Sequence, residues 1–182
     1  IDAVGKKLLY FAGPNTDGTP KTLLIKGHFL GSASVLEDRY PDAHFLTVLR
    51  HPSQRIRSIV NFFRVAPEVC RNGAIPWPWL VHFGQTVEVD YCLYEKEWYE
   101  ARPDKSTVVR FRDYVADIEQ TLTTIYGRCL PHLDPEGFIH QAHVPRKRSG
   151  YSVDRSYAQL GIDEAALLEP LQDYIAWVEQ GD

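Results

Sequence analysis

The sequence predicts an α/β fold, a parallel β-sheet flanked by helices. Two observations predict it. Short apolar stretches rich in β-branched residues, "FLTVL" (45–49) and "STVV" (106–109), alternate with longer stretches of helical period, and that alternation marks βα units. The 182 residues are enough for one domain with a real core, and no repeat, low-complexity tract or linker divides them. We therefore expect one domain over residues 1–182.

The elements follow in order. "KLLYFA" (7–12) suits a short strand, and "GPNTDGTP" (13–20) a loop by its glycines, prolines, Asn and Asp. "KTLLIKGHF" (21–29) reads as a second strand ending at Gly27. "GSASVLEDRY" (31–40) suits a short helix capped by Ser32 or Ser34, with Val35 and Leu36 facing inward. "PDAHFLTVLR" (41–50) is a turn and a buried strand. "SQRIRSIVNFFRVAPEV" (53–69) is a helix with Ser53 as its N-cap and Ile56, Ile59, Val60 and Phe63 at helical spacing.

"NGAIPWPWLVHFG" (72–84) reads as an irregular aromatic loop or lid, because two prolines punctuate it. Helical spacing returns in 87–101 through Val89, Cys92, Leu93, Trp98 and Tyr99. "STVVRFRDYV" (106–115) starts as a strand, and 117–130 is an amphipathic helix with Asp117 near its cap. Residues 131–160 are polar, with a basic middle. Residues 163–180 close the chain as a helix that tolerates Pro170 near its start.

Bulk properties narrow the function. A net charge of -4 argues against broad nucleic-acid binding and confines any basic site to a local patch. Cys70, Cys92 and Cys129 are odd in number and widely spaced, without CxxC. They suit free thiols in a reducing, cytoplasmic setting rather than a disulfide frame or a metal site, so no metal is expected. No apolar run approaches the roughly 20 residues of a membrane helix. The chain begins at Ile1 and contains no Met, which suits a piece of a longer protein, so a Golgi or membrane-anchored parent stays open. A homo-oligomer is compatible with the sequence.

Two places carry chemistry. In "FLTVLRHPSQRIRS" a strand ends at Leu49 and presents Arg50 at its carboxyl edge, where open α/β sheets bind ligands. Pro52 stops the strand. The helix after it offers unpaired N–H groups and a positive dipole end, Arg50 a fork for phosphate oxygens, and Ser58 a hydroxyl on the second turn. The alternative is an exposed loop of solvated arginines, and this stretch alone does not choose. In "LLIKGHF", Lys26 and His28 fall on one side of the expected strand. A cation beside an imidazole favours the neutral form that can accept a proton. Taken alone, the pair is an ordinary surface feature.

In that order and spacing, the two places together resemble the sulfotransferase family, which moves a sulfuryl group from 3'-phosphoadenosine 5'-phosphosulfate (PAPS) to an acceptor. "IKGH" corresponds to its Lys-Thr-His strand end. "RYPDAHFLTVLRHP" matches its Pro turn and its strand ending in Arg-x-Pro, and Ser58 lies eight residues after that Arg. "EKEWYEARPDKSTVVRFRDYVADIEQTL" resembles the segment around the family's Tyr-Glu-Asp, with Trp98, Val108, Asp113 and Asp117 in register. "PRKRSG" resembles its basic Arg-Lys-Gly loop. The likeness runs over roughly residues 19–150.

The resemblance implies a P-loop NTPase-like fold and a set of roles. Arg50 and Ser58 would bind the 3'-phosphate of PAPS or of its product PAP. Arg146, Lys147, Arg148 and Gly150 would close over the same phosphate. Phe111 stands where the family stacks a Tyr on adenine. His28 would be the general base, and Lys26 would stabilise charge on the sulfuryl group or the leaving phosphate. Trp77, Trp79 and Phe83 are candidates to line the acceptor pocket or to form local core. The acceptor would be a small molecule, a carbohydrate or a lipid offering a hydroxyl or amine. Gly27 replaces the family's Thr, and Arg112 its Glu. The family's Pro-Lys-x-Gly-Thr-Thr loop for the 5'-phosphosulfate is not found; "GPNTDGTPKT" lacks P-loop spacing. The strand-loop-helix that carries it is expected to precede Ile1. The alternative is a sulfotransferase-like module that binds a nucleotide, another anion or a protein and catalyses nothing. A small-molecule kinase would need a strand ending in an acidic magnesium ligand, and the strand before His51 ends in Arg50.

Overall fold

Strands β1 (Phe45–Leu49) and β2 (Ser106–Arg110) pair in parallel, with Phe45 opposite Ser106 and Leu49 opposite Arg110. The structure is a computed structural model, and it describes residues 12–15, 18, 21–65, 76–133, 136–139 and 155–180. The described residues are mostly helical around this two-stranded sheet. They form two units, residues 1–41 and 42–182.

In the first unit, a short 3-10 turn (Leu30–Ser32) leads into α1 (Ala33–Arg39). The helix is where the sequence places it, but Ser32 stands at the N-cap without a side-chain bond. Ala33 is buried instead of Val35, which is 70% exposed. Residues 21–29 are not a strand: they have no regular structure and bend at Gly27. A strand exists only through its ladder, and among the described residues only β1 and β2 pair. Residues 7–11 of the proposed strand and half of the 13–20 loop lie outside the described residues.

In the second unit, β1 is buried only in part. Leu46 and Val48 are 38% and 54% exposed, while Leu49 is buried. Helix α2 (Pro52–Val65) follows and buries Ile56 and Val60 completely. Its first residue is Pro52, whose missing N–H costs nothing there. The cap is therefore His51, not Ser53: His51 Nδ1 accepts the Ser53 N–H at 3.3 Å.

The segment read as an aromatic loop is helical where described. Helix α3 (Trp77–His82) passes through a π-helical turn (Phe83–Val87) into α4 (Glu88–Glu100). Pro78 sits in the first turn of α3, where a proline starts a helix rather than breaks it. Within the π turn, Gly84 lies against α2. A Cβ there would come within 3.0 Å of Val60 Cγ2. Helix α4 buries Val89, Cys92, Trp98 and Tyr99, while Leu93 is 41% exposed.

After β2 come α5 (Phe111–Ala116) and α6 (Ile118–Cys129). Asp117 caps α6 as expected, accepting the Gln120 N–H at 2.9 Å. Short helices α7 (Glu136–Ile139) and α8 (Tyr157–Leu160) follow; α8 ends on Gly161 at φ 71, a left-handed cap that suits glycine. The closing helix is broken. Pro170 lacks the N–H that an unbroken helix would use, and a 3-10 turn (Glu169–Leu171) separates α9 (Glu164–Leu168) from α10 (Gln172–Glu179).

A charged network lies in the core of this unit. Glu95 of α4 accepts from Thr47 Oγ1 at 2.9 Å, Arg55 Nη1 at 2.8 Å and Tyr174 OH at 2.7 Å. Arg55 Nε is 3.2 Å from Glu88 Oε2, at an angle that leaves that buried oxygen without a hydrogen bond. Burial alone would ease the proton off Arg55, but Glu95 and the other groups around it more than offset this and hold it more firmly. Burial, joined by Glu95, raises the Tyr174 phenol far above its usual range. Burial also pushes the Cys92 thiol up to about 11. Cys92 and Cys129 are free thiols; Cys70 lies outside the described residues. Among the described residues, no helix is long and apolar enough to cross a membrane, and no cluster of three or more His, Cys, Asp or Glu could hold a metal.

Candidate functional site: the carboxyl edge of the sheet

Because β1 and β2 are parallel and in register, their carboxyl ends stop side by side. The next residues are Arg50 and Phe111. The Arg50 guanidinium lies over the Phe111 ring, 5.0 Å from its centre, and its Nε donates to Gln54 Oε1 at 3.2 Å. Ring and amide hold the guanidinium in place. Among the described residues nothing takes its two terminal nitrogens, which are the pair that grips a phosphate or sulfate. Two residues singled out separately in the sequence thus meet at one point.

Gln54 was not singled out. The signal was present, since Gln54 and Ser58 lie four apart on one face of α2 and Arg50 stands four residues before Gln54. Ser58 is half-buried and already engaged in an interaction within the fold.

The expected cradle of free N–H groups at the start of α2 is absent. Pro52 has none, Ser53 donates to His51 Nδ1, and Gln54 and Arg55 both donate to the His51 carbonyl at 2.9 and 3.0 Å. The self-cap by His51 uses these donors, so the positive character of the corner rests on Arg50 and the helix dipole. Ser53 is committed too: its hydroxyl bonds Glu164, and its carbonyl accepts the Tyr157 hydroxyl at 2.6 Å.

Arg112, the replacement for the family's Glu, is a structural residue. It donates Nη1 to the Glu179 carbonyl at 2.9 Å and Nη2 to the Gln180 carbonyl at 3.0 Å, capping the end of α10, and its Nε reaches Asp113. A cleft of about 260 Å³ lies beside it, lined by Val108 to Arg110, Asp113, Gln120, Thr121 and Thr124. It takes in none of Arg50, Ser58 or Phe111. The Arg50 fork, unpaired among the described residues, points to an anion site better than this cleft, whose Arg112 is spent on backbone and whose Arg110 is engaged within the fold.

Lys26 and His28 belong to the first unit. Both are exposed on an irregular segment, so the strand alternation expected to align them does not apply. Gly27 has a local explanation: a Cβ there would lie 2.6 Å from the Phe29 ring, so the family's Thr would require that ring to move. Trp79 stacks on Phe83 at 5.2 Å and Phe83 meets Phe63 edge-on at 5.8 Å, which makes a local aromatic cluster. Arg146, Lys147, Arg148 and Gly150 lie outside the described residues.

Against known protein families, the chain matches the model of the sulfotransferase family over residues 19–134, more than half its length. It belongs to the sulfotransferase family. The matched stretch includes Lys26, His28, Arg50, Ser58 and Phe111 and stops short of the basic segment 146–150. No curated protein and no solved structure matches the chain.

Proposed function

We propose that this sulfotransferase-family chain takes PAPS as its donor and transfers the sulfuryl group to an acceptor hydroxyl or amine. One observation carries the reading. Arg50 is held over Phe111 at the shared carboxyl edge of two parallel strands, its terminal nitrogens unpaired among the described residues, in a chain of this family. That residue pair suits a 3'-phosphate beside an adenine. The guanidinium would take the phosphate, and the ring face away from Arg50 would take the base.

Ser58, on the face of α2 that Gln54 begins, would add a hydroxyl to the phosphate. Arg146, Lys147 and Arg148 would supply further positive charge, with Gly150 in the same loop. Their downstream neighbour Arg155 is tied to α2: its carbonyl accepts from Asn61 Nδ2 at 3.2 Å, three residues beyond Ser58. His28 would take the acceptor proton, and Lys26 would offset negative charge at the leaving phosphate. When bound, PAPS would supply the activated sulfuryl group. The parallel pair would belong to a wider sheet of the P-loop NTPase type.

Calorimetric titration with adenosine 3',5'-bisphosphate and with 5'-AMP tests the site. The bisphosphate is expected to bind much more tightly. Arg50→Ala removes a charged hydrogen-bonding group worth on the order of 1.5–3 kcal/mol, and so a preference of roughly tenfold to a hundredfold. Equal binding of both nucleotides by the wild type would refute the reading. A second reading, a binding module without catalysis, is favoured by the irregular, exposed setting of Lys26 and His28. A chain that prefers the bisphosphate, yet shows no sulfuryl transfer to any of a panel of phenol, sugar and lipid acceptors with PAPS, would support it.

A further inference from the structure

The corner that presents Arg50 is gripped on both arms by one carboxylate. Thr47, three residues before Arg50 on β1, donates to Glu95 Oε1 at 2.9 Å. Arg55, five residues after it on α2, donates to Glu95 Oε2 at 2.8 Å. Tyr174 of α10 donates to the same oxygen at 2.7 Å. The Glu95 side chain is only 7% exposed, so water does little to loosen these bonds.

Apolar packing alone would let strand and helix slide by fractions of an ångström. Hydrogen bonds to an ionised carboxylate are short and directional, and they fix the spacing of the two arms. The corner between the arms is braced as well near its ends, where Leu49 pairs with Arg110 and the Ser53 carbonyl accepts the Tyr157 hydroxyl. His51 caps the helix within the corner, and Arg50 leans on Gln54 and Phe111. The direction of the Arg50 fork therefore depends in part on where Thr47 and Arg55 are held.

We infer that Glu95 is a positioning residue for the Arg50 anion site, acting through the backbone of β1 and α2 without touching the ligand. The inference rests on the 3'-phosphate reading above. It assigns a function to a buried acid on α4, far in sequence from Arg50.

The test uses the whole chain in wild-type, Glu95→Gln, Thr47→Val and Val178→Ala forms. Val178→Ala loosens the packing of α10 without touching the carboxylate. Each form is titrated with adenosine 3',5'-bisphosphate and with 5'-AMP, and amide hydrogen exchange is followed from Arg50 to Arg55 without ligand. Glu95→Gln is expected to lower the bisphosphate preference roughly tenfold, as a displaced binding group does, while 5'-AMP affinity holds. Thr47→Val, which breaks one bond of the grip, moves in the same direction by less, and it serves alone if Glu95→Gln does not fold. Exchange at the corner quickens in both and not in Val178→Ala. Retention of the wild-type preference by the Glu95 and Thr47 variants would overturn the inference, as would equal quickening of exchange in Val178→Ala. A wild type without any preference refutes the anion site itself, and the inference with it.

Discussion

Arg55→Met is the sharpest test of what holds this fold together. Arg55 Nη1 lies 2.8 Å from Glu95 and Nε 3.2 Å from Glu88, with the guanidinium 4.8 Å from the centre of the Tyr91 ring. The two carboxylate side chains are 8% and 7% exposed. Methionine keeps most of the length and apolar contact of the stem but strands two buried negative charges. Breaking a buried pair by removing one partner costs about 3–5 kcal/mol. Glu95 would keep Thr47 and Tyr174, which places the expected loss near the lower end, about 3 kcal/mol. At this chain length that corresponds to a fall in Tm of roughly 6–12 °C. Urea unfolding followed by the fluorescence of buried Trp98 and Trp177 reads it, with the denaturant slope unchanged. Adding Glu88→Gln and Glu95→Gln to the variant should return a large part of the loss, because no unpaired charge remains. A loss under about 1 kcal/mol, or no recovery in the triple variant, would show that the charges are not confined as argued.

Three further outcomes follow from single groups. Asp117→Ala removes the α6 cap and should cost about 1 kcal/mol, with Asp117→Asn recovering most of it; equal losses in the two variants would count against the cap. His44, bonded to Thr107 at 2.7 Å, is held below its usual 6.5 by burial and by Arg128. The unfolded chain therefore binds that proton first, and stability should fall as pH drops below about 6.5 and level off under the folded value. His44→Gln should flatten that limb of the unfolding curve, and an unchanged slope would exclude His44 as its source. Tyr157→Phe removes the bond to the Ser53 carbonyl, at a cost of about 1 kcal/mol. Burial, joined by Glu164, pushes this phenol up to about 12. The stability it carries is whole below about 10 and is lost as pH rises through 12, so the Phe variant should lose less on alkaline titration.

What could be read from the sequence was what depends on period and order. β1, α2, α4, β2 and α6 were legible because each repeats its apolar residues at its own spacing, and Asp117 because a cap has a fixed place. Arg50 and Phe111 could be named from the resemblance, but their contact could not, because it depends on a register between strands some 60 residues apart. The misreadings share a cause. Pro76 and Pro78 mark a loop by composition, yet Pro78 lies in the first turn of a helix. Ser53 has the residue type of a common cap, while the competing imidazole of His51 has no such statistical signature. Leu23, Leu24 and Ile25 look like a strand in isolation, but a strand needs a neighbour, and Leu24 stands 85% exposed. The Glu95 network left no pattern at all, since its members come from four elements and meet only in space.

The π turn at Phe83–Val87 has a consequence for how this chain can vary. An α-helix advances about 100° per residue, so losing one residue between α3 and α4 would rotate everything after it by that angle. Glu88, Cys92, Glu95 and Tyr99 share one buried face of α4. The wider π turn is what an inserted residue looks like when the helix beyond it keeps its phase. Deletion of one residue there, healed into regular α-helix, would turn the two acids away from Arg55 while leaving every local propensity intact. Gly84 apart, length in this short stretch is thus more tightly constrained than composition, and lineages of this chain should exchange the other residues within 83–87 far more readily than they lose one.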